Sequence, residues 1–150
     1  MNRATLCVVL LAACLGTAVL CAEPAATLLL TDVTAYETGD TGTLTVSLSA
    51  PATSATVVNF VVRGSAASPS DYLAIGTSVT IAAGAASAPI GIRPVNNGVA
   101  EDDEDVEIEL TAGTGYVLGA PDSIVGRVTI KDDDPPRVTV LPSGGWLSAL

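Results

Sequence analysis

The sequence predicts an all-β fold, a seven-strand antiparallel β-sandwich. Three observations support this prediction. Apolar and polar residues alternate in short runs, as they do in half-buried strands. Glycine, proline, asparagine and serine separate these runs, and such residues favour turns. After residue 23, no stretch shows the apolar spacing of a helix. With 150 residues, the chain is long enough for one sandwich with a core of its own.

Seven runs account for the predicted strands. The clearest is 43–49, which places apolar side chains on one face and hydroxyl groups on the other. The run 106–110 alternates as cleanly, with carboxylates on the exposed face. In chain order, the predicted strands are 27–33, 43–49, 58–62, 79–81, 90–92, 106–110 and 128–130. Their apolar residues are mostly Val, Ile, Leu and Ala, and Phe60 is the only Phe. Small side chains bury little area per residue, which favours a contribution to stability from bound ions.

Charge and composition argue against several classes of function. The chain has 16 Asp and Glu residues against 6 Lys and Arg, a formal net charge of −10. Nucleic-acid binding requires clustered basic residues, so no nucleic-acid partner is expected. The chain contains no His, which is the usual general base near neutral pH and the commonest zinc ligand. Most hydrolase triads and most transition-metal sites are therefore excluded.

Residues 1–22 have the layout of a secretory signal peptide. Arg3 precedes an uncharged, mostly apolar run that ends at Ala22, and Glu23-Pro24 then breaks the run. Cleavage after Ala22 would leave a mature chain without cysteine, because all three cysteines lie upstream. Two alternatives stay open: an uncleaved anchor helix in the membrane, and a lipoprotein box that would make Cys14 a lipidated N-terminus. Each of them places the protein outside the cytoplasm, either secreted or at the cell surface.

Residues 23–135 are predicted to form the sandwich domain, and residues 136–150 a C-terminal tail or the start of a truncated further module. Pro135-Pro136 is expected to end the last strand, because proline lacks the N–H that a sheet requires. The run 137–141 is typical of a strand, either at a sheet edge or in a further module. Gly144-Gly145 and the apolar residues after them are similar to the start of a bacterial surface-sorting tail. Sorting, truncation and a flexible end all remain open.

Ten of the sixteen acidic residues fall in two clusters. The first comprises 101–105 with Glu107 and Glu109, and the second is 132–134, directly after the last predicted strand. Alternate loops of a sandwich gather at the same end, so the two clusters are expected to meet there. Charges this close repel by about 1 kcal/mol per pair in water, and by more where water is excluded. A cation would relieve that repulsion; the alternative is a solvated acidic face.

Calcium is the cation that this set of donors suits best. Hard carboxylate oxygens, with neither His nor Cys nearby, are typical of Ca²⁺ sites. Mg²⁺ requires stricter octahedral geometry and retains its waters, so it suits a cluster built from several loops less well. The sequence lacks the twelve-residue loop between two helices that another class of calcium site uses. We therefore predict a Ca²⁺ site assembled from separate loops.

Several short motifs, in a fixed order, resemble the Calx-beta domain of sodium–calcium exchangers, an integrin and many bacterial secreted proteins. These motifs are Tyr36-Glu37 before Gly42 to Val46, Ser70-Asp71-Tyr72, Val79-Thr80-Ile81, Glu101 to Glu104 and Val128 to Asp134. The resemblance covers about residues 26–135. It implies a seven-strand immunoglobulin-like sandwich, in agreement with the strand pattern.

The resemblance also implies a set of calcium ligands at one end of the sandwich. By position, the implied ligands are the side chains of Glu37, Asp71, Glu101, Glu104, Asp132, Asp133 and Asp134 and the backbone carbonyl of Val99. The chain departs from the family pattern at Asn96, Asn97 and Gly98, where calcium-binding members carry acidic residues. An Asn side chain keeps a carbonyl oxygen but lacks the charge, so we expect fewer or weaker ions, one or two in all. Alternatively, Asn96-Asn97-Gly98 forms only a turn.

The residues and the resemblance together predict a non-enzymatic, extracytoplasmic Ca²⁺-binding module with an adhesive or structural role. Its expected partners are calcium ions and either neighbouring modules or a cell-surface protein, with no small-molecule substrate. The alternative is a metal-free spacer or protein-binding module with a degenerate calcium site. Paired carboxylates also serve glycoside hydrolysis, but the chain has few aromatic residues to bind a sugar, which argues against an enzyme.

Overall fold

A computed structural model describes residues 22–135, and these form a two-layer β-sandwich. The strands are β1 (Ala25–Asp32), β2 (Thr34–Tyr36), β3 (Gly42–Leu48), β4 (Thr56–Gly64), β5 (Ser78–Ile81), β6 (Ser87–Ile92), β7 (Glu104–Leu110), β8 (Val117–Leu118) and β9 (Val125–Lys131). A single 3₁₀ turn, Pro121–Ser123, is the only helical element in this part of the chain. The predicted signal peptide and the predicted C-terminal tail or module lie outside the described residues. No helix within 22–135 is long and apolar enough to cross a membrane.

The all-β sandwich is confirmed, but the strand count and pairing differ from the prediction. All seven predicted strands are present, and β2 and β8 bring the described strands to nine. The first sheet has the order β6-β3-β1-β8, and the second has the order β2-β9-β7-β4-β5. Most neighbouring strands are antiparallel, whereas β8 pairs with β1 and β2 pairs with β9 in parallel. Both sheets are therefore mixed.

The first predicted strand, 27–33, corresponds to β1 up to Asp32, and Val33 lies where the chain crosses to the second sheet. Its pairing with β3 shifts register between Leu30 and Asp32, which marks a bulge. After Val33 the chain enters the second sheet as β2, and the N–H of Thr34 donates to Oδ1 of Asp32 at 3.2 Å. This crossing places residue 37 beside the end of β9 rather than beside β3.

The core fills the space between the sheets, as strand alternation predicts. In β3, Leu44 and Val46 are fully buried, while the intervening Thr45 is half-buried on the outer face. The largest fully buried side chains are Leu44, Val46, Val58, Ile81, Ile92, Val106, Ile108, Leu110 and Val128. Two tyrosines, Tyr72 and Tyr116, add the aromatic bulk that the strand pattern alone did not assign to the core. Burial of these residues rigidifies the strands that carry the acidic loops.

Tyr116 closes the end of the sandwich opposite the acidic loops. Its hydroxyl donates to the carbonyl of Thr111 at 2.6 Å and accepts the N–H of Asn59 at 3.1 Å. The phenol thus joins the backbone of β4 at Asn59 to that of Thr111, the residue after β7.

Three sheet contacts bring the acidic segments to one end of the sandwich, which we call the acidic end. Glu104, the first residue of β7, lies opposite Ile130, near the end of β9. Tyr36, the last residue of β2, lies beside Lys131, the last residue of β9. The 71–73 segment pairs with 93–95 through an isolated bridge beyond β6. The predicted meeting of the two acidic clusters therefore follows from the strand register.

Candidate metal centre

Three carboxylates from two segments converge at the acidic end. Glu37 follows β2, and its N–H donates to the carbonyl of Lys131 at 3.2 Å, which fixes it against the end of β9. One carboxylate oxygen from each of Glu37, Asp133 and Asp134 lies within 4.8 Å of the other two. Glu37 is only 4% exposed, whereas Asp134 is half-buried and Asp133 is exposed. The three side chains form a triad that is open to solvent on the Asp133 side.

Two oxygens of this triad are buried without a hydrogen-bond partner. They are Oε2 of Glu37 and Oδ2 of Asp134. An ionised carboxylate can only accept, and leaving such a group buried without a donor costs about 1–3 kcal/mol or more. Among residues 22–135 these are the only buried side-chain oxygens in that condition. A bound cation would satisfy both oxygens at once, so the residues present fit a metal ion.

The charge around the triad also favours a cation. The pKa of the Glu37 carboxyl is raised above its usual value, first by burial and then by the negative charges of Asp132, Glu101, Asp133 and Asp134. Without a cation, ionised Glu37 is thus unfavourable in its surroundings. A divalent ion between these groups would reverse the sign of that interaction.

A second pair of carboxyls, Asp71 and Glu104, lies next to the triad. Asp71 is 7% exposed, and its Oδ2 accepts the N–H of Ala67 at 2.6 Å. That backbone hydrogen bond lowers the pKa of Asp71, with help from Ser70 and Glu104, against the effect of burial. The pKa of Glu104 is raised to about 7, first by burial and then by the hydrogen bond to Asp71 and the charge of Asp71. The proton that this pair shares near neutral pH therefore resides on Glu104.

Asp132 and Glu101 connect the acidic loop to the segment after β9. Asp132 accepts the N–H of Glu101 through Oδ2 at 3.1 Å and the N–H of Asp134 through Oδ1 at 3.3 Å. Oε2 of Glu101 accepts the side-chain amide of Asn97 at 3.1 Å. Val99 is 46% exposed in the same loop, and its N–H donates to Oδ1 of Asn97 at 2.7 Å. These contacts hold the loop in place through hydrogen bonds with protein donors.

The structure thus sorts the eight residues that the sequence predicts into three groups. The first is the triad with its unpartnered oxygens. The second is the adjacent proton-sharing pair, whose Glu104 is close enough to the first group for the charge of Glu37 to raise its pKa. The third comprises two carboxylates that accept hydrogen bonds from protein donors, together with Val99, whose N–H donates to Asn97. The groups are Glu37, Asp133 and Asp134; Asp71 and Glu104; and Asp132, Glu101 and Val99.

The remaining acidic residues near β7 are compensated by basic side chains on the open face of the second sheet. Glu107 pairs with Arg127 at 3.1 Å, and Glu109 pairs with Arg63 at 2.9 Å. Asp105 accepts from Arg127 and from the Thr129 hydroxyl, and Lys131 pairs with Asp103. These ion pairs therefore neutralise much of the charge of the first acidic cluster without a metal ion.

Asn96 contributes a contact to the site that the sequence did not reveal. Its Nδ2 donates to Oδ1 of Asp133 at 3.2 Å, joining the loop after β6 to the triad. The departure from acidic residues at this position was visible in the sequence. The direction of the Asn96 amide could not be predicted from the sequence, because it depends on where the segment after β9 lies.

Comparison with known proteins places this architecture in a family. The model of the Calx-beta domain family matches residues 23–134. A segment of Adhesion G-protein coupled receptor V1 of Danio rerio is 35% identical over 85 residues, which is 55% of this chain and 1% of the receptor. This chain therefore spans only a very small part of that relative's length.

Solved structures show the same fold. The crystal structure of the apo-form Calx CBD1 domain matches with a TM-score of 0.61 and 21% identity, over 75% of this chain and 99% of that one. The calcium binding domain CBD12 of CALX1.1 matches with a TM-score of 0.60 and 21% identity, over 73% of this chain and 46% of that one. With the family model matching most of the chain, from the strand before the bulge to the last residue of the triad, the chain belongs to the Calx-beta domain family.

Proposed function

We propose that this chain is a non-enzymatic, extracytoplasmic module that binds Ca²⁺ at its acidic end and serves a structural or adhesive role. The observation that carries the proposal is the pair of buried, unpartnered carboxylate oxygens of Glu37 and Asp134. They lie with Asp133 in a group compact enough for one ion. The family to which the chain belongs consists of binding domains rather than enzymes, which supports the non-catalytic part of the proposal.

The donor set favours calcium over other divalent ions. Every candidate ligand at the acidic end offers oxygen, and the chain has no His at all. Ca²⁺ takes about 6 to 8 oxygens in adaptable geometry, which suits ligands from separate segments. Glu37, Asp133 and Asp134 would hold the ion. The further candidate ligands are Asp71, Glu101, Glu104 and Asp132 with their carboxylates and Val99 with its carbonyl. When bound, the ion supplies positive charge that ties β2 to the segment after β9.

The location outside the cell rests on the signal peptide predicted over residues 1–22, with lipid anchoring at Cys14 as the alternative. The similarity to a segment of an adhesion receptor is consistent with a module displayed at a cell surface. An ion at the acidic end would stiffen the exit of the chain toward residue 136. We infer that its partners are neighbouring modules or a cell-surface protein, with the domain spanning 23–135.

The second candidate function is a metal-free spacer or protein-binding module. The observation that favours it is that hydrogen bonds from Asn96 and Asn97 already hold the acidic loop in position. In this alternative the remaining repulsion would be tolerated or relieved by protonation of Glu37 and Glu104. The two candidates differ in one measurable respect, the affinity for calcium.

Isothermal titration calorimetry of the purified protein with CaCl₂ tests the proposal. The wild type should bind calcium with a dissociation constant of about 10⁻⁴ to 10⁻³ M, the range of extracellular modules, and should bind MgCl₂ more weakly. Glu37→Gln should remove most of the heat of binding. Glu107→Gln is the matched control, because Glu107 is paired with Arg127 on the open sheet face and should leave binding unchanged. Absence of binding by the wild type would favour the metal-free spacer.

A further inference from the structure

Two asparagine side chains direct their amide nitrogens at carboxylates of the acidic end. Nδ2 of Asn96 lies 3.2 Å from Oδ1 of Asp133, and Nδ2 of Asn97 lies 3.1 Å from Oε2 of Glu101. Carboxylate oxygens accept hydrogen bonds, so the nitrogen and not the oxygen of each amide faces them. For Asn97 the orientation is fixed twice, because the N–H of Val99 must donate to its Oδ1 at 2.7 Å.

This orientation corrects the expectation that the asparagines offer carbonyl oxygens to the ion. The side-chain oxygen of Asn97 is already used within its own loop, and its nitrogen carries a partial positive charge toward Glu101. Asn96 presents the same kind of donor to Asp133. Both residues therefore act on the acidic end as donors, the role that a cation would otherwise fill.

The oxygens that lack a donor show where an ion is still needed. In the described part of the chain, the two buried side-chain oxygens without a partner belong to Glu37 and Asp134, and both lie in the one triad. Glu37 is more than nine-tenths buried, so bulk solvent has little access to its carboxylate. Elsewhere at this end, Glu101 and Asp132 accept from N–H groups of the protein.

We propose that the side-chain amides of Asn96 and Asn97 replace a second cation, so that the site takes one divalent ion at the triad and the 96–101 loop keeps its position without any ion. This inference rests on the proposed function, because it assigns how many ions the same site holds. It makes Asn96 and Asn97 determinants of stoichiometry and of stability in the ion-free state. A loop that is already in place has little ordering left to undergo when calcium binds.

Asn97→Asp is the sharpest perturbation. Aspartate keeps an oxygen that accepts the N–H of Val99, so the turn is retained. The single change is that a charged oxygen replaces the amide nitrogen that faces Glu101. Asn96→Asp makes the equivalent change beside Asp133. Asn59→Asp is the matched control: Asn59 lies where β4 pairs with the end of β7, about 20 Å along the strands from Glu104.

The experiment counts calcium ions by native mass spectrometry and measures Tm in chelator and in calcium. We expect one ion on the wild type and on Asn59→Asp. The Asn96→Asp, Asn97→Asp double variant should bind a second ion or bind calcium at least about tenfold more tightly. In chelator, Asn97→Asp should melt about 5 °C below the wild type, because an attractive contact has become repulsive.

Failure of the inference and failure of the proposed function give different results. A wild type that binds no calcium would overturn the proposed function. A wild type that binds two or more ions would overturn the inference and leave the proposed function standing. An Asn97→Asp protein with the wild-type Tm in chelator would also overturn the inference, since the amide would then be no more than part of a turn.

Discussion

Asp134→Asn should stabilise the ion-free protein and at the same time remove most of its stabilisation by calcium. Oδ2 of Asp134 is buried without a partner, and the triad oxygens lie within 4.8 Å of one another. Asparagine keeps the shape of the side chain, removes one negative charge and offers an N–H donor toward Glu37. The substitution therefore relieves the defect that a cation would relieve, but it also removes a charged ligand.

The expected magnitude follows from Coulomb's law. Two unit charges 4.8 Å apart repel by about 0.9 kcal/mol in water and by about 3.5 kcal/mol at an effective dielectric constant of about 20. The site is open on the Asp133 side, so the relief in the ion-free state should fall between these values, at roughly 1–2 kcal/mol. Calcium at about 100 times its dissociation constant adds roughly 2.7 kcal/mol to the wild type. We expect the variant to gain less than about a third of that.

The assay is thermal melting of wild type and variant, in chelator and in calcium at about 100 times its dissociation constant, which is about 10–100 mM for the affinity expected above. For a domain of this size, 1 kcal/mol shifts Tm by about 4 °C. Asp134→Asn should therefore melt above the wild type in chelator, and in calcium this advantage should be lost or reversed. Glu109→Gln serves as the control. It removes a surface ion pair with Arg63, worth about 0–1 kcal/mol, and should shift Tm equally in both buffers. If Asp134→Asn shifted Tm equally in chelator and in calcium, the charge of Asp134 would act only as part of a diffuse field.

Three further predictions concern proton binding, packing and export. The pKa of Glu104 is raised from 4.5 to about 7, so between these values the folded state binds more protons than the unfolded state, and stability falls as pH rises. In chelator, Tm should therefore be higher at pH 5.5 than at pH 7.5, and Glu104→Gln should flatten that slope. Tyr116→Phe should leave the N–H of Asn59 without its acceptor and lower the free energy of unfolding by about 1–3 kcal/mol in urea titrations, with calcium binding unchanged. Mass spectrometry of the exported protein should find an N-terminus at Glu23 or a lipidated Cys14, whereas a soluble cytosolic chain with an intact N-terminus would contradict the signal peptide.

Strand alternation made most of the fold predictable, and its failures have a local cause. Long runs such as β3 and β7 show period-two burial because one face packs on the core. β2 and β8 have three and two residues, too few to show any period. Each forms by pairing with a strand from another part of the chain, β2 with β9 and β8 with β1. The bulge near Asp32, which sends the chain from one sheet to the other, likewise depends on the partner strand.

The candidate site was predictable in position but not in detail. Clustered acids at loop positions of a sandwich indicated which end would carry the charge. They did not indicate that the N–H of Glu101 would be donated to Asp132, or that Asn96 would reach Asp133. Those contacts depend on how two loops far apart in sequence meet. The sequence identifies the candidate carboxylates, whereas the tertiary structure decides which of their oxygens are left without a donor.

The distribution of hydrogen-bond donors explains where the proposed ion site lies among so many acidic residues. Glu107 and Glu109 on the open sheet face have Arg partners, whereas Glu101 and Asp132 accept from an amide and from a backbone N–H. Asp71 has the N–H of Ala67, and Glu104 has Asp71, with which it shares a proton. Within residues 22–135, the buried side-chain oxygens that have no donor lie where β2 ends beside the segment after β9. There, the main-chain N–H of Glu37 donates to the carbonyl of Lys131, and the charged groups around the Glu37 carboxylate are other carboxylates. The proposed ion would supply the positive charge that these oxygens lack, so its proposed position follows from where the protein supplies no donor.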